Sequence, residues 1–160
     1  MKVSIVICTY SFDMYDAFTE SVESILEQTY DDTEIILMID GNDQLYQRVK
    51  NEYGNIESVQ VQVNSANVGL SVSRNNALAH VTGDVVALID DDAVADPEWI
   101  AELVSVYESQ DAIAVGGRMI PEWVADKPRF LPEEFYWLIG VTHRGFAEDG
   151  EEVRNTFGSN

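Results

Sequence analysis

Two periods of apolar and polar positions alternate along this chain. Runs of strand length, Val3 to Cys8, Glu34 to Ile39, Val59 to Val63, Val85 to Ile89 and Ile113 to Val115, are separated by segments with helical spacing. Phe18, Val22, Ile25 and Leu26 share one helical face between the first two runs, and Leu45, Val49 and Tyr53 share another between the second and third. After Ile89, Asp96-Pro97 supplies a cap residue and then proline at the first helical position. Ile100, Leu103, Val104 and Tyr107 follow as a core stripe. Strands alternating with helices predict an α/β fold around a mostly parallel sheet. Past Gly116-Gly117 the periodicity stops. Pro121, Pro128 and Pro132 punctuate an aromatic segment, which predicts irregular structure with one short helix over Glu133 to Ile139.

Length and composition narrow the picture. The 160 residues suffice for one domain with a core, and 46% apolar with 24% charged residues is ordinary for a globular chain. No apolar run approaches the roughly 18 residues of a membrane span, and MKVSIVICTY lacks the cleavage site of a signal peptide. A cytoplasmic location is the expectation. The single cysteine, Cys8, reads as a small buried hydrophobe, and no Cys/His cluster has zinc spacing. Charge changes the picture most. With 29 acidic and 9 basic residues the formal net charge is −20, and the only lysines are Lys2, Lys50 and Lys127. Nucleic acid is excluded as an expected partner, because its binding rests on Lys and Arg neutralising phosphates. Self-repulsion of this size is relieved by salt, which points to a halophilic protein, the alternative being an acidic but mesophilic one.

In open parallel sheets ligands bind beyond the carboxyl ends of the strands, and the informative residues fall there. The first strand ends in Cys8-Thr9-Tyr10, the second in Asp40-Gly41-Asn42-Asp43 and the fourth in Asp90-Asp91-Asp92. Three successive carboxylates repel one another unless a cation neutralises them, and a hard divalent ion, Mn²⁺ or Mg²⁺, would share them with substrate phosphates. The same run also fits a loop on an acidic surface. Asp40 suits either a hydrogen bond to a base or ribose or the start of a turn. Tyr10 suits either stacking on a base or half-burial. The segment Asn67-Val68-Gly69-Leu70-Ser71-Val72-Ser73-Arg74-Asn75 puts a glycine loop before a helix with an arginine in its first turn, which suits either a diphosphate or a flexible loop with an arginine balancing its acidic neighbours.

Taken in order, these motifs resemble glycosyltransferase family 2. VSIVICTYS resembles the family's first strand, SILEQTYDDTEIILMIDGND its Gln-Thr and Asp-Gly block, NVGLSVSRNNAL its Asn-x-Gly block, and GDVVALIDDDAVADPEWI its DxD strand. Cys8 stands where proline is usual, and Asn42 where serine is common. The resemblance implies a GT-A-type fold and a metal-dependent, inverting transfer from a nucleotide sugar. It implies Thr9, Tyr10 and Asp40 around uracil and ribose, Asn67, Gly69 and Arg74 near base or diphosphate, Asp90 and Asp91 toward the ribose, and Asp92 with Asp90 on the metal. Residues 1–117 would form the nucleotide-binding part of a single domain over 1–160, and 118–160 the start of an acceptor-side part. EWVADKPRFLPEEFYWLIG and GEEVRNTFGSN look further like haloarchaeal enzymes that build dolichol-linked glycans for surface-layer glycoproteins. That implies a UDP-hexose or UDP-hexuronic acid donor and a lipid-phosphate or glycan acceptor in protein N-glycosylation, with peripheral contact at the inner face of the membrane.

Such a transfer also needs a carboxylate base for the acceptor hydroxyl. In the family it follows a segment like NTFGSN, so the base is expected past Asn160 and the domain to continue there. Glu148, Asp149, Glu151 and Glu152 read as a solvated charge run, and His80 and His143 as surface residues without a role. Trp123, Phe135, Tyr136 and Trp137 suit either an acceptor- or membrane-facing surface or core packing. A nucleotidyltransferase would need a glycine-rich basic loop after the first strand, which CTYSFDMYD does not supply. A nucleotide-binding but non-catalytic truncated domain, or interaction module, is the alternative.

Overall fold

A computed structural model describes residues 1–153. The chain divides into two compact units, Met1–Glu98 and Trp99–Asn160.

The first unit is a four-stranded sheet, all parallel, in the order β3-β2-β1-β4, with β1 Val3–Thr9, β2 Thr33–Asp40, β3 Val59–Asn64 and β4 Val85–Ile89. The expected alternation is borne out for these four strands. β1 and nearly all of β2 are buried along their whole length, as continuous apolar runs in a parallel sheet should be. Helix α1 (Tyr15–Leu26) buries Phe18, Val22 and Ile25 as its spacing predicts. Ser21 and Ser24 share that face, while Leu26 is only half-buried. Helix α2 (Asp43–Tyr53) buries Leu45, Val49 and Tyr53, and Tyr53 Oη donates to Glu23 Oε1 of α1 at 3.2 Å. Burying each of these large side chains contributes about 1.5–3 kcal/mol. Helix α3 (Leu70–Ala77) lies on the sheet face where Val6 and Cys8 of β1 and Ile36 and Met38 of β2 form a cluster with Ala77. Cys8 is thus the small buried hydrophobe expected of it.

The strand order creates the feature that matters for function. The chain winds outward from β1 to β2 to β3, then returns to place β4 on the other side of β1. The order thus reverses between β1 and β4, the point beyond whose carboxyl ends open parallel sheets bind their ligands.

In the second unit, α4 spans Trp99–Gln110, and Asp96, just ahead of it, accepts a hydrogen bond from Glu98 N at 2.9 Å. Asp96 therefore caps the turn as expected, while regular helix begins a little later. The run Ile113 to Val115 is not a strand: Ile113 is 99% exposed and the segment is irregular. Three residues offer too few ladder bonds and too little burial to offset the entropy of ordering them. Glu133–Ile139 is helical as expected, in the tighter 3₁₀ form, after Pro132 at its N-cap. Tyr136 is buried with its ring edge-on to Trp123, whereas Phe135 and Trp137 are exposed. Glu148, Asp149, Glu151 and Glu152 are exposed, in keeping with a solvated run. NTFGSN lies outside the described residues. Among the described residues no helix is long and apolar enough to cross a membrane.

Candidate functional site

Three strand ends and the start of α3 build the site. Thr9, the last residue of β1, is buried, and its Oγ1 has no partner at hydrogen-bond distance, although it lies near enough to Asp91 to favour that carboxylate's charge. Tyr10 follows and is more than half exposed. Asn42 accounts for the departure from serine: its Oδ1 caps α2 by accepting from Leu45 N at 3.1 Å, and its Nδ2 donates to Tyr10 O at 3.2 Å. One amide thereby ties the β1 exit to the β2 exit.

Asp40 ends β2 with its carboxylate almost enclosed by donors. Oδ1 accepts from Asn64 Nδ2 and Val68 N, each at 2.9 Å, and Oδ2 from Gly69 N at 2.8 Å and Val68 N at 3.1 Å. Burial opposes the charge, but these donors outweigh it and hold the carboxyl below its usual range. Gly41 is required next to it. Its φ is +68°, and a Cβ there would sit 2.0 Å from Asn67 N, so the loop over residues 66–67 lies directly on a residue without a side chain. Gly69, at φ +85°, turns the chain into α3, with open space where a side chain would stand.

Cys8, Thr9, Tyr10, Asp40, Asn67, Gly69, Leu70 and Ser73 line a cavity of about 230 Å³. Five of the sequence-predicted residues, Thr9, Tyr10, Asp40, Asn67 and Gly69, therefore meet in one place. A larger hollow of about 470 Å³ involves Lys2, Glu34 and Glu57 at the opposite, amino-terminal end of the strands, where parallel sheets do not carry their ligand sites.

The remaining candidates form a second group beside the cavity. Arg74 Nη2 donates to Asp90 Oδ1 at 2.6 Å, both side chains mostly buried. Arg74 is the fifth residue of α3, which starts at Leu70. It therefore stands in the second turn, not the first as the sequence suggests, because the helix starts at Leu70, just after the cap residue Gly69 and four residues ahead of Arg74. Burial raises the Asp90 pKa; Arg74 opposes this, and the charges of Asp92 and Asp91 add to it. Asp91 is raised by burial first and by Asp92 as well. The acidic segment is pinned from α1, where Ser21 Oγ donates to Asp90 O at 3.2 Å and Ser24 Oγ accepts from Ala95 N at 3.0 Å. Cys8 links the two groups. Burial pushes its thiol up to about 11, and it senses Arg74, Asp40, Asp91 and Asp90.

Among the described residues no three His, Cys, Asp or Glu side chains converge as a preformed metal cage. A Mg²⁺ or Mn²⁺ completed by phosphate and water needs only one or two carboxylates. Adjacent carboxylates such as Asp90 and Asp91, raised by burial first and by neighbouring acidic charge second, fit that smaller demand.

Sequence reasoning missed Asn64, which ends β3 opposite Asp40. Its signal was a polar residue closing the alternating run VQVQVN, but its meaning depends on the register between β2 and β3.

Comparison with known proteins agrees with this architecture. The model for glycosyl transferase family 2 matches residues 4–160. A glucosyl-dolichyl phosphate glucuronosyltransferase of Haloferax volcanii is 54% identical over the whole chain and 51% of its own length. An uncharacterized glycosyltransferase of Haemophilus influenzae is 33% identical over 91% of the chain and 46% of its own length. The chain thus spans about half the length of these relatives. TarS of S. aureus, residues 1–349, solved in complex with UDP-GlcNAc, superposes with a TM-score of 0.62 at 22% identity over 76% of this chain and 37% of that one, a likeness of fold. The family model's match to nearly the whole chain, with the 54% identity to the Haloferax relative and a parallel sheet of the GT-A type, shows that the chain belongs to glycosyl transferase family 2.

Proposed function

We propose that this chain is the donor-binding half of a glycosyltransferase that moves a hexose or hexuronic acid from a UDP-sugar to a lipid-phosphate-linked acceptor. The observation that carries the reading is the convergence of Thr9, Tyr10, Asp40, Asn67 and Gly69 on one cavity at the strand ends, next to the Arg74–Asp90 pair and the acidic run. Relatives support the chemistry: one is named for glucuronosyl transfer to glucosyl-dolichyl phosphate, and a structural neighbour was solved with UDP-GlcNAc. The setting would be protein N-glycosylation, with the chain at the inner face of the membrane and working in high salt.

Each group has a task. At about 230 Å³ the cavity is smaller than the roughly 300 Å³ at which pockets for drug-sized ligands begin, so it would take only part of a nucleotide sugar. Tyr10 offers an exposed ring for a base to stack on, and Thr9 Oγ1 a buried hydroxyl with hydrogen-bonding capacity to spare. The open backbone at Gly69 lets a ribose or phosphate approach closely. Arg74 orients Asp90 and favours its charged form. Asp92 with Asp90 would hold Mn²⁺ or Mg²⁺, which supplies positive charge to the leaving diphosphate.

Asp92→Ala tests this division of labour. Any Mn²⁺-dependent gain in UDP affinity should disappear while affinity without metal persists; an unchanged gain would make the acidic run a surface loop.

A further inference from the structure

We propose that Asn64, which does not line the cavity, is a positioning residue that sets the shape of the nucleotide cavity by locking Asp40 and α3 together. The inference rests on the donor-pocket reading above. Asn64 closes β3 in register with Asp40, and its side chain is buried. Both hydrogens of its amide are used, one on Asp40 Oδ1 and one on Ser73 Oγ, each at 2.9 Å. Its Oδ1 accepts from Asn76 Nδ2 at 2.8 Å. Asp40 and Ser73 line the cavity; Asn64 and Asn76 do not.

The geometry makes Asn64 the hub. A carboxylate has about four lone-pair sites, and those of Asp40 are spent on Asn64 and on the N–H groups of Val68 and Gly69. Asp40 thereby clamps the loop that enters α3, and Asn64 fixes the carboxylate that does the clamping. Asn64 also holds Ser73 and Asn76, one turn and two turns into that helix. Removing the amide leaves a buried carboxylate short of a donor and lets Ser73 turn, and an underpaired group in a buried network costs more than the single bond lost. The cavity wall from Asn67 to Ser73 would then lose its fixed position without losing any residue that contacts the nucleotide.

Asn64→Ala and Asn76→Ala, compared with the wild-type chain, test this with two readouts. In the nucleotide-free protein, Asn64→Ala should speed hydrogen exchange at the Val68 and Gly69 amides by at least about tenfold, the equivalent of one lost hydrogen bond, while the amides of β2 exchange as before. UDP affinity, measured well below the thermal midpoint, should fall about tenfold, and Asn76→Ala should move both readouts less, in the same direction. If Asn64→Ala does not fold, Asn76→Ala carries the test alone. Unchanged exchange at Val68 and Gly69 would overturn the clamp. Faster exchange with unaltered UDP affinity would make Asn64 a stabilising residue only, which also overturns the proposal. A wild-type chain that binds no UDP would instead sink the donor-pocket reading and this role with it, with the exchange data still reporting whether Asn64 holds the loop.

Discussion

Glu34→Gln probes the scaffold that aligns the site. Glu34 is the second residue of β2, at the end of the sheet opposite the cavity, and its carboxylate accepts four hydrogen bonds: from Ser4 Oγ and Thr82 N on Oε1, each at 2.5 Å, and from Thr82 Oγ1 at 2.6 Å and Lys2 Nζ at 2.8 Å on Oε2. Gly83 N donates in turn to Ser4 Oγ at 2.9 Å. The side chain thus binds β1 and β2 to the turn that launches β4, the strand delivering Asp90. Burial opposes its charge, but the donors win and lower the pKa from 4.5 to about 2. A depressed carboxyl pKa stabilises the fold fully above the unfolded value, and that contribution is lost as pH falls through the folded one. At about 1.4 kcal/mol per unit, the shift corresponds to about 3 kcal/mol. Lys2 is 37% exposed, so solvent screens its share and a cost near 2 kcal/mol is expected. Glutamine keeps the shape, loses the charge and turns an amide donor toward Lys2. Urea unfolding followed by circular dichroism at constant KCl should show Glu34→Gln about 2 kcal/mol less stable at pH 7, with less than half of that difference left at pH 3. A cost below about 0.5 kcal/mol, or the same cost at pH 3 as at pH 7, would refute the reasoning.

Two further outcomes are expected. Gly41→Ala combines a left-handed backbone with a Cβ 2.0 Å from Asn67 N; strain and forced loop movement together should cost about 2–4 kcal/mol in unfolding free energy and weaken UDP binding at least tenfold, whereas near-wild-type values for both would show that the loop does not rest on Gly41. With a formal charge of −20, the thermal midpoint should rise steadily as KCl goes from 0.1 to 2 M, and a flat profile would remove the case for a halophilic surface.

How much of this was legible in the sequence depended on whether a feature is local. β1, β2, β3 and β4 announce themselves because apolar runs between amphipathic segments have few other ways to be buried. Ile113 to Val115 misled because so short a run carries the composition of a strand without its pairing. Thr9, Tyr10, Asp40, Asn67 and Gly69 could be named because parallel sheets put their sites at strand ends, and they do converge. What Asp40 holds could not be read: its partners Asn64, Val68 and Gly69 come from elements whose register appears only on folding. The same applies to Arg74, whose partner Asp90 is 16 residues away, just past the end of β4.

Calorimetric titration of the chain with UDP in molar KCl, with and without Mn²⁺, tests the central claim most directly. The account predicts one site per chain, at least about tenfold tighter with Mn²⁺ than without, as expected when a cation bridges carboxylates and a diphosphate. A folded chain that binds no UDP, or binds it equally well in the absence of metal, would contradict it.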